Sequence, residues 1–200
     1  MNSTREHILK VSLTLFFQKS YKEVTMKEIV EKTGLSKGAF YHYFNSKEDL
    51  FHEIVNIFFS LGAMDFTSFP QDSLKGFYEH YLAFKGESFK QLGHFMNTES
   101  DGNSNFNLML LLFDALQRFP EYLAIEKAQY EKEVKVWEEV IETARQKGEI
   151  NSEAANRQLA DLFLYCTDGV FVRLANGTDF PDFETGLKQA FDTIYEGLKP

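Results

Sequence analysis

Little in this chain allows cross-linking, metal coordination or passage through a membrane. Its 200 residues include a single cysteine, Cys166, which cannot close an internal disulfide, and only four prolines. The apolar neighbours of Cys166 read as an inert core thiol rather than a reactive one. The five histidines, at 7, 42, 52, 80 and 94, fall at no metal-ligand spacing, and there is no HExxH and no paired Cys/His set. A glycine-rich phosphate loop and a nucleophile elbow are both missing, so the expectation is a non-enzyme that takes no metal and no cofactor. The longest apolar stretches, 106–113 and 159–165, are interrupted by polar residues well short of the roughly 20 residues a spanning helix requires. No cleavable targeting segment is recognised ahead of the charged Arg5 and Glu6, and the expectation is a soluble cytoplasmic protein with no membrane partner. Sustained period-2 alternation is also lacking, which leaves an all-α chain.

What the chain does have is apolar mass and a divided charge. Apolar residues make up 44% of it, with 21 phenylalanines, enough for a sizeable core. Net charge is −9, which taken alone argues against a polyanionic partner. The distribution reverses that inference. Residues 1–50 hold eight Lys or Arg against six Asp or Glu, whereas residues 51–200 hold thirteen against twenty-four. All the excess acidity therefore lies behind a mildly basic head.

Periodicity divides the head into short helices. Thr4 is placed to cap a first helix whose apolar positions Ile8, Leu9, Val11, Leu15 and Phe16 recur at helical spacing. Thr25 followed by Glu28 has the form of a capping box, and Met26, Ile29 and Val30 give the second helix an inner face. Gly34 supplies a turn and Ser36 caps a third helix, in which Phe40 and Phe44 point inward and leave Lys37, Gly38, Tyr41 and His42 outward. Ser46 with Asp49 opens a fourth helix, continued inward by Leu50, Phe51, Ile54, Val55 and Phe58. Beyond a boundary near Pro70 the pattern predicts helices over about 71–84, 87–96, 104–117, 120–147, 152–176 and 183–198. Residues 97–105 read as a mobile loop, and Gly148 and Gly177 as helix ends. The long 120–147 segment carries a stripe of Tyr130, Val134, Trp137 and Ile141, suited either to the chain's own core or to a second copy.

An outward third helix of this kind suits the major groove of DNA, its first turn reaching furthest in. Lys37 can donate to a purine edge or a phosphate, and Gly38 permits close approach. Tyr41 can give its hydroxyl to a phosphate, and His42 can donate to a base or a phosphate. Thr25 and Lys27 at the start of the second helix, and Lys47 at the start of the fourth, are placed to clamp the DNA backbone on either side. Tyr43 is divided between packing beside Tyr21 and touching DNA.

Residues 5–50 resemble the helix-turn-helix head of TetR/AcrR-type transcriptional regulators. The resemblance is carried by Arg5, Ile8, Leu9, Leu15, Phe16 and Phe17, by Tyr21, Thr25 and Ile29, and by Gly34, Leu35, Ser36, Gly38, Tyr41, Phe44, Lys47, Glu48 and Leu50. Ser12, Ser20 and Thr33 stand where alanine, glycine and alanine are usual. The family pattern implies phosphate contacts at Thr25, Tyr41 and Lys47 and base contacts from the helix that starts at Ser36. It also implies a three-helix DNA-binding head, residues 1–48, joined to a helical ligand-binding and dimerisation body, residues 49–200. In that body, 183–198 together with 120–147 or 152–176 would pair with a second subunit, and the homodimer would recognise a palindromic operator in double-stranded DNA.

Aromatic density in the body suits a small apolar or aromatic effector, and the candidate pocket residues are Phe77, Tyr81, Phe84, Phe113, Asp114, Tyr130, Trp137, Phe163 and Asp168. Asp114 and Asp168 interrupt apolar helical surfaces, and each has a salt bridge or a cationic ligand as its possible use. The resulting expectation is a repressor released from its operator when the effector binds. The alternative is a small-molecule-binding or protein-interaction protein of the same fold that does not read DNA.

Overall fold

The computed structural model describes residues 3–96, 104–175 and 183–200, and the regular structure among them is helical throughout. In chain order the helices are α1 Ser3–Gln18, α2 Met26–Thr33, α3 Lys37–Tyr41, α4 Lys47–Gly62, a 3-10 turn Phe66–Ser68, α5 Leu74–Met96, α6 Ser104–Arg118, α7 Pro120–Gln146, α8 Asn156–Ala175 and α9 Phe183–Leu198. The expected loop at 97–105 lies almost wholly outside the described residues, and so does the helix end at Gly177. No helix among the described residues is long and apolar enough to cross a membrane.

Two apolar cores organise these helices. The first gathers Ile8, Leu9 and Phe16 of α1, Ile29 of α2, Phe40 of α3 and Phe51 of α4, and it is closed from below by Leu111 and Ala115 of α6 and Tyr122 of α7. The second is centred on Trp137, which stacks on Phe163 at 4.8 Å and meets Phe77, Tyr81 and Phe191 edge-on. Burying each such ring contributes on the order of 1.5–3 kcal/mol. The α7 stripe foreseen from the sequence thus serves the chain's own core, with Val134, Trp137 and Ile141 buried and Tyr130 half-buried. In α9 the apolar positions Phe183, Leu187, Phe191, Tyr195 and Leu198 form one buried stripe against α5 and α8.

Three element boundaries differ from the sequence expectation. Residues 74–96 form one helix rather than two, because Gly86 does not break it. A Cβ there would come within 3.1 Å of the Glu184 carboxylate of α9, so the glycine allows close packing. The third helix ends at Tyr41, one turn before Phe44; Phe40 and Phe44 are nonetheless both buried. Helix α8 starts at Asn156 rather than near 152, and Arg145 holds the non-helical segment before it. Its guanidinium donates to the carbonyls of Ser152 and Ala154 and to Asn156 Oδ1 at 2.5–2.9 Å.

The α7–α8 connection also fastens the start of α5. Gly148, at φ 70°, ends α7 in the left-handed region. The next residue, Glu149, accepts from the amides of Leu74 and Lys75 at 2.9 Å and from the hydroxyls of Ser73 and Tyr195 at 3.0 and 3.2 Å. A carboxylate from 75 residues away therefore caps α5.

Candidate functional site

The α2–α3 unit is built from local hydrogen bonds the sequence encodes. Thr25, extended at φ −112°, accepts from the Glu28 amide at 3.2 Å. The reciprocal half of the expected box is diverted, because the Glu28 carboxylate pairs with Lys19. Gly34 closes α2 at φ 68°. Thr33 firms that turn: its hydroxyl donates to the Val30 carbonyl at 2.8 Å, and its own carbonyl lies 3.1 Å from His7 Nε2 of α1. Ser36 then accepts from the Ala39 amide at 3.2 Å and starts α3.

Phe40 is fully buried, which pins the helix and turns its other side outward. Ser36, Lys37, Gly38, Ala39, Tyr41 and His42 are all exposed. Tyr41 keeps 37% of its surface accessible and stands edge-on to Phe40 at 5.7 Å. A Cβ on Gly38 would meet nothing within 4 Å, so no contact inside the chain requires glycine there. Lys27, on α2, is exposed and lies 3.8 Å from Glu31.

Lys47 is placed differently from the others. Its ammonium donates to the carbonyls of Tyr21 and Val24 at 2.7 Å and lies 4.2 Å from the Tyr21 ring centre. Burial holds its pKa below the usual lysine value, partly offset by Glu48. The residue braces the α1–α2 connection near the start of α4. Tyr21 itself donates to Glu48 at 2.7 Å and carries the Arg118 guanidinium 4.0 Å above its ring. Tyr43 is half-buried against the head core, its ring edge-on to His42.

A cavity of about 440 Å³ opens between α4, α5, α7 and α8. Of the residues foreseen as pocket-lining, Tyr81, Tyr130 and Asp168 border it. Phe77, Trp137 and Phe163 lie in the core behind, and half-buried Phe84 packs on Phe69 at 6.0 Å. Phe113 and Asp114 border a separate depression between α1 and α6. Not foreseen were Phe58 and Phe59 from α4, Lys85 from α5, and Glu126 and Glu133 from α7. The signal for Glu133 was present, since it falls in step with Tyr130 and Trp137 along an otherwise apolar stripe. Burial pushes the Asp168 carboxyl above the ordinary carboxylate value; Lys85 opposes this and Glu133 and Glu126 reinforce it.

The elbow between α6 and α7 joins cavity to head. Tyr122 stacks on Phe59, a cavity residue, at 4.9 Å and 12°. Its hydroxyl, pushed up to about 12 by burial, donates to Asn56 Oδ1 at 2.8 Å, with the His52 carbonyl at 3.1 Å as a second acceptor. Phe119 packs on Phe51 and His52, and Arg118 reaches Tyr21. Sequence reasoning passed over these elbow residues, whose only mark is a cation ahead of a Phe-Pro helix break. Among the described residues no group of three or more His, Cys, Asp or Glu side chains is placed to hold a metal ion.

Comparison with known proteins agrees with this architecture. Residues 8–54 match the family model for bacterial regulatory proteins of the tetR family. The HTH-type transcriptional regulator YerO of Bacillus subtilis is 48% identical over 50 residues, 25% of this chain and only 17% of YerO. The HTH-type transcriptional repressor KstR2 of Rhodococcus jostii is 24% identical over 200 residues, covering 97% of this chain and 90% of that protein. Among solved structures, SmeT, the repressor of the Stenotrophomonas maltophilia multidrug efflux pump SmeDEF, shares the fold at a TM-score of 0.61 and 19% identity, over 98% of this chain and 91% of SmeT. The regulatory protein TetR from Rhodobacter sphaeroides gives 0.57 at 18% identity, over 96% and 97% of the two chains. Residues 8–54 thus match the helix-turn-helix of the tetR family of bacterial regulatory proteins, and the chain shares the fold of TetR-type proteins over nearly its whole length.

Proposed function

We propose that this protein is a ligand-responsive transcriptional repressor, released from a palindromic operator when a small apolar or aromatic molecule enters the body. The observation that carries the proposal is the outward face of α3, where Lys37, Gly38, Tyr41 and His42 stand exposed on a helix anchored by buried Phe40. Major-groove readout needs such a face, with a glycine where the helix comes nearest to the bases. A single head makes too few contacts for specific affinity, so a two-fold pair of heads about one helical turn apart, ~34 Å, is expected.

Helix α8 supports a partner subunit, since Leu162, Tyr165 and Val172 stand 44, 60 and 41% exposed at three- and seven-residue spacing on one face. Replacing Tyr165 by Asp on that face is expected to convert dimer to monomer in sedimentation without lowering helix content. A variant that stays dimeric would move the interface elsewhere.

Effector binding acts by favouring a head spacing that the operator does not accept. The test is selection of the purified protein against a random duplex library at defined salt, followed by titration of the recovered complex with small molecules. A palindrome that loses affinity on titration supports the whole scheme. No enrichment at low salt would leave a small-molecule-binding protein of the same fold.

A further inference from the structure

The cavity walls carry more negative charge than they neutralise. Lys85, whose ammonium lies 3.6 Å from Glu133 Oε1, is the cation that also faces Asp168. One ammonium thus serves two carboxylates, and Glu126 adds a third to their field. The second lysine of the wall, Lys132, is exposed and acts on Asp65. Deeper in, Glu133 Oε1 and the Tyr81 hydroxyl are buried facing each other, and neither has a hydrogen bond of good geometry beyond that mutual contact. The Tyr81 residue is wholly buried and Glu133 and Thr167 are close by, but the Thr167 proton is already given to the Phe163 carbonyl at 3.1 Å. Around these groups the walls include Phe58, Phe59, Phe66, Phe89, Tyr130 and Phe171.

A neutral ligand filling this space would strip water from Glu133 and Asp168 without returning a partner, and an anion would add repulsion. An ammonium instead supplies the missing charge and the missing donors, and its adjacent carbons sit favourably against aromatic faces. Resting on the proposed entry of an effector into the body, and taking this cavity as its site, we propose that the ligand is a monocationic amine on an aromatic or bulky apolar body. The ammonium donates to Glu133 and Asp168, and the apolar part lies among Phe59, Phe89, Tyr130 and Phe171.

Calorimetric titration of the full-length protein with three probes of one shape at pH 7 tests this: 2-naphthylmethylammonium, the neutral 2-naphthylmethanol and the anionic 2-naphthoate. The ammonium is expected to bind about tenfold or more tighter than the alcohol, with naphthoate weakest. Asp168→Asn should bring the ammonium to within about threefold of the alcohol while leaving the alcohol's affinity unchanged. A thermal melt of that variant establishes that it is folded. Equal or tighter binding of the alcohol or the naphthoate overturns the proposal, as does failure of all three to bind. The operator complex separates this from the regulatory reading. If the ammonium binds with the stated preference but leaves DNA affinity unchanged, the ligand class stands and induction falls. If only the alcohol or the naphthoate releases DNA, the ligand class falls and the regulator stands.

Discussion

Gly38 is where local stability and the proposed DNA reading make opposite demands. It occupies the first turn of α3, a Cβ there meets nothing within the chain, and alanine favours helix over glycine by up to about 0.5–1 kcal/mol. Gly38→Ala is therefore expected to leave the protein equally or slightly more stable to urea while weakening operator binding, because the added methyl group intrudes where the helix meets the groove. Loss of stability, or unchanged DNA affinity, would remove the close-approach role. Its neighbours divide by type of contact. Tyr41→Ala should weaken binding to all duplexes alike, whereas Lys37→Ala and His42→Ala should change which sequences are preferred. Uniform losses across a panel of sequences would reassign both residues to the phosphates.

Capping at a distance decides how α5 begins, and it responds to pH. Burial alone would raise the Glu149 carboxyl, but hydrogen bonds from Lys75, Leu74, Ser73 and Tyr195 outweigh it and hold the group below the usual range. Because the folded value is depressed, the contribution is complete above the unfolded value of about 4.3 and is lost as pH falls through the folded one. Glu149→Gln should lower stability by about 1–3 kcal/mol at pH 7. The difference from the parent protein should shrink as pH drops below about 4; a difference that persists unchanged would assign the effect to packing. This cap was invisible in the sequence, since nothing local ties Glu149 to Leu74 across 75 positions. Thr25, Ser36 and Gly34 were legible because their partners lie within three residues. Gly86 misled for the same reason: read locally it breaks a helix, yet its use is the approach of Glu184 from α9. The cavity followed this rule too, with Tyr81, Tyr130 and Asp168 standing out by type, whereas Phe59 and Lys85 acquire their positions only when α4, α5 and α7 meet.

At the scale of the molecule, a mildly basic head precedes an acidic body, and the α6–α7 elbow joins their cores. An effector that displaces Phe59 acts directly on Tyr122, which stacks on that ring and holds α4 by its hydroxyl at Asn56. From there Phe119 and Arg118 extend the contact to Phe51 and Tyr21, beside Lys47 and the start of α2. Coupling between ligand and DNA is a free energy of about 1–3 kcal/mol in such systems, equivalent to a change in affinity of about 5–150-fold. If the elbow carries it, Tyr122→Phe, which keeps the stack and removes the hydroxyl, should leave the separate affinities for operator and effector within about twofold. It should reduce the factor by which effector weakens operator binding. The measurement is a thermodynamic box: operator affinity with and without saturating effector, and effector affinity with and without operator, for both proteins. By reciprocity the two routes around the box must give the same factor. An unreduced factor in the variant would place the coupling elsewhere, either in α4 itself, which runs from Phe51 in the head core to Phe59 on the cavity, or in the packing of α6 on α1 through Leu111 and Ala115.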